Sequence, residues 1–490
     1  PELKYAGYDG IIIEGKADKP VFLKITNNMC TIEDASDIWG MGTQDSEELL
    51  RSKIGDQEAK ALTIGPAGEN LSPIACVCSE FYRQLGRGGL GAVFGSKNLK
   101  GIVARGTLDI EQKNIEEFME KVTEVIKAHG MADDDNFYYS QGTPSLVPDT
   151  NEVGILPTNN FQEGSFEGAD GLNRKNIDRH LVLHKSCFSC PQACGSYIEI
   201  GKYANEPEYE TISNCGSNLG IDSMEAVLRI NHLCDDYGFD TVSAGATVSL
   251  AMELTEKGIY DCGVHFGNID EAYNTFTLMG ENKGIGKDLM MGSKRFSEKY
   301  GGKEWAMHSK GLELPGYDPR GSWSQALAYA TADRGGCHMR GWPIGDDALG
   351  GLDPYADEQE IVDRVIECQN DNAICNAIDL CAFSHFEYEE MADFATRTLD
   401  YEYTVDDLKS IIDRVLNLSR IFNSKAGITR NDETFCNRVF EDRLESLESD
   451  KGGKVLNKEK FENMKTLLYK HRGWDENGIP TPERIKELDL

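Results

Sequence analysis

Over residues 1–107 the apolar positions come in short runs broken by Gly, Asp, Lys and Pro. The runs from Gly10 to Gly15 and from Val21 to Ile25 predict strands on either side of a turn that ends at Pro20. The stretches from Ala59 to Gly65 and from Ile74 to Cys78 read the same way, because short apolar runs bounded by turn residues suit a pleated sheet. A glycine-dense stretch, Arg83 to Lys100, follows. From Asp109 the period changes: Ile115, Phe118, Val122 and Val125 lie on one face of a helix. Residues 130–186 are rich in Asn, Asp, Gly and Pro and predict long loops. Helices dominate after that. One is predicted from the capping pair Asp222 and Glu225 to Gly238, a residue suited to a left-handed C-cap. Others are predicted over 241–258, 269–283, 357–378 and 404–423.

A chain of 490 residues exceeds one simple core, so two or three domains are expected. No apolar run reaches the length of a membrane span, and no basic segment followed by an apolar one opens the chain as a signal peptide would. These features, with fourteen cysteines and no secretory signal, predict a cytoplasmic protein. Cys234, Cys368 and Cys375 then read as small apolar residues, and a disulfide framework is not expected. The formal net charge of −33 argues against nucleic acid and anionic lipid as partners. A small redox partner would need a local basic patch, which a net charge does not locate.

The densest group of soft ligands is Cys187, Cys190 and Cys194, with Pro191 keeping their loop from becoming a helix. Three thiolates on one short loop can hold one face of an iron–sulfur cubane, which needs a fourth cysteine from elsewhere. Zinc and unligated buried thiols are the alternatives. Zinc sites pair two two-ligand motifs, and no second pair exists here.

Eight ordered segments resemble the aldehyde:ferredoxin oxidoreductase family, tungsten enzymes that use a paired pterin cofactor. They are Glu2 to Asp9, Gly65 to Asn70, Gly86 to Lys100, the cysteine loop, Glu206 to Glu210, Tyr317 to Gly321, Arg334 to His338 and His471 to Asp475. The resemblance covers essentially the whole chain. With the periodicity above, it implies an α+β fold: a β-sheet base (1–107), a helix-rich domain with the cysteine loop (108–242) and a second helix-rich domain (243–490), with the cofactor at their junction. It also implies that a segment of the β base is missing ahead of Pro1.

The implied cofactors are a 4Fe-4S cluster, a tungsten or molybdenum bis-molybdopterin, and a magnesium ion between the pterin phosphates. The implied reaction joins an aldehyde and water to give a carboxylic acid, with electrons leaving through the cluster to ferredoxin. A relative that reduces an aromatic acyl-CoA and a degenerate electron-relay subunit are the alternatives.

The resemblance carries over residue by residue. Cys381 matches the fourth cluster ligand, at the end of a family pattern resembling Asp-x-x-Gly-Leu-Cys. Here Asn376 replaces the Asp, Asp379 replaces the Gly, and Leu380 precedes the cysteine. Asn376 brings a neutral amide where the family has a charged pterin contact. Asp235 and Asp240 form the companion pattern for the other pterin. Arg83, Gly86 and Arg87 match the loop on the pterin phosphates, and Arg340 matches a further basic contact. Glu210 and His338 match the family's proton-transfer pair. Cys215 corresponds to a region where a cysteine binds the metal in benzoyl-CoA reductases, but reads here as a core thiol. Arg229 and His232 stand where some family dimers hold a bridging iron with Glu-x-x-His, so a homodimer is expected to lack that metal.

Overall fold

The computed structural model describes residues 1–112, 114–200, 203–205, 207–399, 401–447 and 453–490. Six strands near the N-terminus form one sheet: β1 (Val21–Thr26), β2 (Met29–Asp34), β3 (Lys60–Thr63), β4 (Val77–Ser79), β5 (Arg83–Leu85) and β6 (Leu99–Arg105). Their order is β2-β1-β6-β3-β4-β5, with β1 and β6 parallel and the other pairs antiparallel. Phe22, Ala61 and Val103 bury one face of the sheet against Leu50 of helix Thr43–Ile54.

The segment Gly10 to Gly15 is not a strand. A strand needs a backbone partner, and β1 already has β2 on one side and β6 on the other. Ile12 is left 92% exposed. The expected strands at 59–65 and 74–78 are present in shortened form as β3 and β4.

The expected helices form over Ile115–Ala128, Met224–Tyr237, Thr241–Glu256, Ile269–Gly280, Glu358–Ala377 and Val405–Lys425. The N-cap before Met224 is Ser223 rather than Asp222. Its hydroxyl accepts from Ala226 N, and the helix closes on Gly238 at φ 80° as expected. The loops expected over 130–186 contain short helices at Phe137–Ser140, Leu146–Glu152 and Arg174–Asp178 and the strand β7 (Leu181–Lys185). With β8 (Gly195–Ile200) and β9 (Tyr203–Asn205), β7 makes a second, three-stranded antiparallel sheet. The fold is therefore α+β, a sheet region followed by helix-rich regions, as expected.

Compactness divides the described chain into two discontinuous units: 1–111, 170–188 and 195–306; and 112–169, 189–194 and 307–490. The division into 1–107, 108–242 and 243–490 expected from sequence is a partition into continuous segments, a different kind of boundary. In the second unit, helix Glu358–Ala377 joins two cores. Ile361, Val362 and Val365 pack with Leu327 and Phe461, while Ile374 packs with Met391, Leu408 and Ile412. Burying each such side chain contributes roughly 1.5–3 kcal/mol. Helix Ile115–Ala128 gains less, because only Val125 of its expected apolar face is fully buried. Among the described residues no helix is long and apolar enough to cross a membrane.

Candidate functional site

In the first unit the expected pterin contacts Asp235, Asp240 and Arg87 belong to two buried polar groups, one around Asp235 and one around the Asp240–Arg87 pair. Asp235 sits in the last turn of helix Met224–Tyr237 and is 3% exposed. A carboxylate there gains nothing from the helix dipole, so side chains hold it instead. Gln84 Nε2 donates to Oδ1 at 2.8 Å and Asn231 Nδ2 to Oδ2 at 3.2 Å. The same Gln84 amide accepts from the Cys76 and Cys78 thiols at 2.9 and 2.8 Å. Asp240 is the N-cap of helix Thr241–Glu256, accepting from Val242 N at 3.1 Å and Ser243 Oγ at 2.6 Å. Arg87 Nε reaches Asp240 Oδ2 at 2.9 Å in a nearly solvent-free ion pair.

The glycine-dense stretch has two uses. Gly86 has open space: an added Cβ would meet only Gln84 Cβ, at 3.6 Å. That leaves its backbone approachable by an anion. Gly91 and Gly95 serve packing. A Cβ on Gly95 would lie 2.0 Å from the Gly68 carbonyl, and one on Gly91 2.4 Å from that of Cys76. Glycine thus lets helix Leu90–Ser96 lie against helix Pro66–Glu69. At the ends of the same two motifs, Lys100 Nζ meets Glu69 Oε1 at 2.6 Å with both side chains buried. Arg83 lies in β5, paired in register with Ser79.

Glu210 occupies the first turn of helix Tyr209–Cys215, half-buried, where the dipole favours a carboxylate. Glu206, the start of its motif, lies outside the described residues. On the same helix, Asn214 Nδ2 donates to the Glu210 carbonyl at 3.1 Å, while the Asn214 Oδ1 atom is buried with no hydrogen-bond partner. Such an acceptor fits a bound group with amino hydrogens, as a pterin ring has. Cys215 is fully buried and its thiol is pushed up strongly by that burial and then by Asp240 and Asp235. That is the behaviour of a core thiol. Arg229 pairs with Glu225 one turn back on its helix.

The cysteine loop, residues 186–194, connects β7 to β8. Cys187 is exposed and clusters with the first unit; Cys190 and Cys194 are half-buried and cluster with the second, as does exposed Cys381. Tyr138 belongs to the same unit as Cys194 and Cys381. Its phenol is pushed up by burial first and then by these two thiols, and its ring stacks on Phe383 at 4.6 Å. The donor set has the chemistry a cubane requires. Among the described residues, no three His, Cys, Asp or Glu side chains are close enough to hold a metal.

Also in the second unit, Asn376 is exposed on the last turn of helix Glu358–Ala377, its amide donating to Asn372 O at 2.6 Å. Asp379, in the family's glycine position, has φ 58°. Leu380 N closes the turn on Cys375 O at 2.8 Å. The Asp235 pattern ends its helix the same way, with Gly238 at φ 80° and Phe239 N on Cys234 O at 2.8 Å. The two patterns are thus one kind of helix ending. His338 opens a short 3-10 turn, its ring 6.2 Å from that of Tyr317. Arg340 in that turn is held by Asp333 at 2.9 Å.

Sequence reasoning missed Gln84, Tyr138 and Asn214. Neutral polar and aromatic side chains inside ordinary runs carry no spacing signal. The one available hint was Gln84 lying between Arg83 and Gly86, inside the phosphate-loop motif.

Comparison with known proteins places these features in context. Two family models match the chain: "Aldehyde ferredoxin oxidoreductase, N-terminal domain" over residues 1–106 and "Aldehyde ferredoxin oxidoreductase, domains 2 & 3" over 117–490. The tungsten-containing aldehyde ferredoxin oxidoreductases of Pyrococcus horikoshii and Pyrococcus furiosus are 38% and 36% identical to it, each match covering all of this chain and 83% of the relative. An aliphatic sulfonate oxidoreductase, WOR-like subunit, from Pyrococcus furiosus is 28% identical over all of this chain and 81% of its own length. A solved structure, the active site complex BamBC of benzoyl coenzyme A reductase with 1,5-dienoyl-CoA, shares the fold. Its TM-score is 0.84 at 24% identity, over 100% of this chain and 82% of that one.

Proposed function

Because the chain belongs to the aldehyde ferredoxin oxidoreductase family, we propose that it converts an aldehyde and water to a carboxylic acid and passes the two electrons to a ferredoxin-type carrier. The observation that carries this reading is the full-length similarity to tungsten-containing aldehyde ferredoxin oxidoreductases. A tungsten or molybdenum bis-molybdopterin supplies the electron-accepting chemistry when bound, and a 4Fe-4S cluster on Cys187, Cys190, Cys194 and Cys381 supplies the outward path. Magnesium between the pterin phosphates would share the anionic groups that Arg83, Arg87 and the Gly86 backbone attract. Asp235, Asp240, Arg340, Asn376 and Leu380 would line the pterin edges, with the Asn214 carbonyl oxygen as a further acceptor.

The chain's own chemical work in this reading is proton handling. Adding water to the aldehyde carbon and removing two electrons releases two protons. The Glu210 carboxylate takes one from the attacking water. His338 donates a hydrogen bond to the aldehyde oxygen and so fixes which face of the carbonyl the water meets. A homodimer, if formed, would use contacts other than a Glu-x-x-His iron, since Arg229 is engaged by Glu225. A reducing cytoplasm suits the chain, in which no two described cysteines are joined by a disulfide.

The test is anaerobic purification followed by elemental analysis and a viologen-coupled panel of aldehydes. The expected result is tungsten or molybdenum with roughly four irons per chain and aldehyde-dependent viologen reduction. Glu210→Gln should keep the metals and lose about 10²–10⁴-fold in kcat. Metal-loaded protein that fails to reduce viologen with every aldehyde of the panel, but oxidises reduced viologen with an aromatic acyl-CoA, would overturn the reading.

A further inference from the structure

The chain has 50 Lys and Arg against 83 Asp and Glu, yet residues 174–188 invert that balance. They hold Arg174, Lys175, Arg179 and Lys185, with His180 and His184, against the single carboxylate of Asp178. The fold turns this segment into helix Arg174–Asp178 and strand β7, which runs directly towards Cys187. Asp178 is engaged by Arg174 at 2.7 Å. Lys175, Arg179 and His184 are exposed, and Lys185 Nζ stands 4.1 Å over the Tyr82 ring.

Among the described residues β7 is an edge strand, pairing with β8 alone, and it bulges between Leu181 and Leu183. Charge and a bulge are the usual guards of an exposed sheet edge. A guarded edge does not, however, call for large apolar side chains in water. Here Val182, Leu183 and Phe188 are 54%, 49% and 63% exposed, and the exposed Cys187 lies beside Phe188 in sequence. Apolar surface flanked by cations is the composition of a docking surface, not of edge protection alone.

We infer that the β7 edge, with Lys175, Arg179, Val182, Leu183 and Phe188, is the docking surface for a small acidic iron–sulfur protein of the ferredoxin class. The inference rests on the reading that Cys187 belongs to a cluster, and deepens it by naming where the electron acceptor lands. A molecule of net charge −33 repels an acidic partner over most of its surface. A local cationic strip makes one approach favourable and fixes the partner's orientation, so selectivity comes from the contrast between strip and bulk. The apolar side chains supply short-range contact. Redox partners typically meet through small, transient interfaces, below about 1,200 Å², which a short strip can supply. The strip that attracts a small acidic protein does not suit nucleic acid, because a polyanion extends beyond it onto the repelling bulk surface.

The experiment uses the anaerobically purified, iron-loaded full chain and a purified acidic 4Fe-4S ferredoxin. Binding is measured directly as Kd against salt, separately from turnover. The double variant K175E/R179E should raise Kd at least about tenfold at low salt and flatten the salt dependence. The ferredoxin-coupled rate at limiting carrier should fall in parallel, while aldehyde-dependent viologen reduction and iron content stay unchanged. The control K287E/R295E makes the same change in charge at a different part of the first unit and should leave Kd near that of the unmodified chain. If K175E/R179E loses iron or melts early, K175Q/R179Q carries the same test, with a rise of about threefold or more. Equal Kd values for the strip variant and the unmodified chain, or equal weakening by the control, overturn the docking surface. Absence of aldehyde-dependent viologen reduction in the unmodified chain overturns the proposed reaction instead, and Kd still decides the docking strip.

Discussion

Gln84 ties three buried groups together with one amide, accepting from Cys76 and Cys78 and donating to Asp235. Gln84→Leu leaves these buried groups short of partners, so a loss of about 1–3 kcal/mol is expected. Gln84→Glu sets a second carboxylate against Asp235 and should cost more at pH 7 than at pH 5. Denaturant midpoints of the two variants at both pH values check this; equal losses at both would show that charge is not what Gln84 manages. Glu47, 1% exposed on helix Thr43–Ile54, has its carboxyl pushed up to about 7 by burial, against an ordinary 4.5, although Phe81 N donates to it. Its folded value is raised, so its contribution to stability is fully present below about pH 4.5 and is lost as pH rises through about 7. Over that window the loss is on the order of 3 kcal/mol. Glu47→Gln should remove that slope, so the variant should gain on the wild type as pH is raised from 4.5 to 8. A difference that does not change with pH would refute the buried proton. Neither residue was legible beforehand, since each is one polar side chain whose contacts, with Asp235 for Gln84 and with Phe81 for Glu47, are brought together only by the fold.

Two helices end in the same turn, one on Gly238 and one on Asp379, each with a left-handed residue and a backbone bond reaching back five positions. Aspartate tolerates this conformation better than most side chains but still pays for its Cβ. Asp379→Gly should therefore stabilise helix Glu358–Ala377 by about 0.5–1 kcal/mol. Gly238→Ala should cost more than about 1 kcal/mol, because φ is 80° and the new Cβ would lie 3.0 Å from Gly65 N. Thermal midpoints moving in opposite directions for the two variants are the expected result; a fall for Asp379→Gly would mean that its carboxylate has a partner worth more than the strain. At this scale the sequence was readable. Helix periods and the C-cap at Gly238 follow from contacts a few residues apart, and the N-cap was displaced by one position, to Ser223, because Asp222 and Ser223 are both competent caps.

For the whole molecule, the four proposed cluster ligands lie on a loop and on a helix end nearly two hundred residues further along the chain. The geometric link to the later segment is Tyr138, whose ring stacks on that of Phe383, two residues beyond Cys381. Cys381→Ser should lower bound iron from roughly four per chain and abolish ferredoxin reduction. Unchanged iron and an unchanged low-temperature EPR signal from the reduced protein would remove Cys381 from the ligand set.

By itself the sequence determined the α+β class, the helices, the family and the residue types available for a metal and a proton. These rest on local periodicity and on ordered motifs, which need no knowledge of what packs against what. Tertiary structure decided which partners the motif residues take. Glu69 and Lys100 neutralise one another, Gly91 and Gly95 let two helices touch, and Asp240 caps a helix while holding Arg87. It also decided that Gly10 to Gly15 stays out of the sheet, because both sides of its expected neighbour β1 are taken by β2 and β6. A buried charge or a close backbone approach is settled by its partner, and the partner is chosen by the fold.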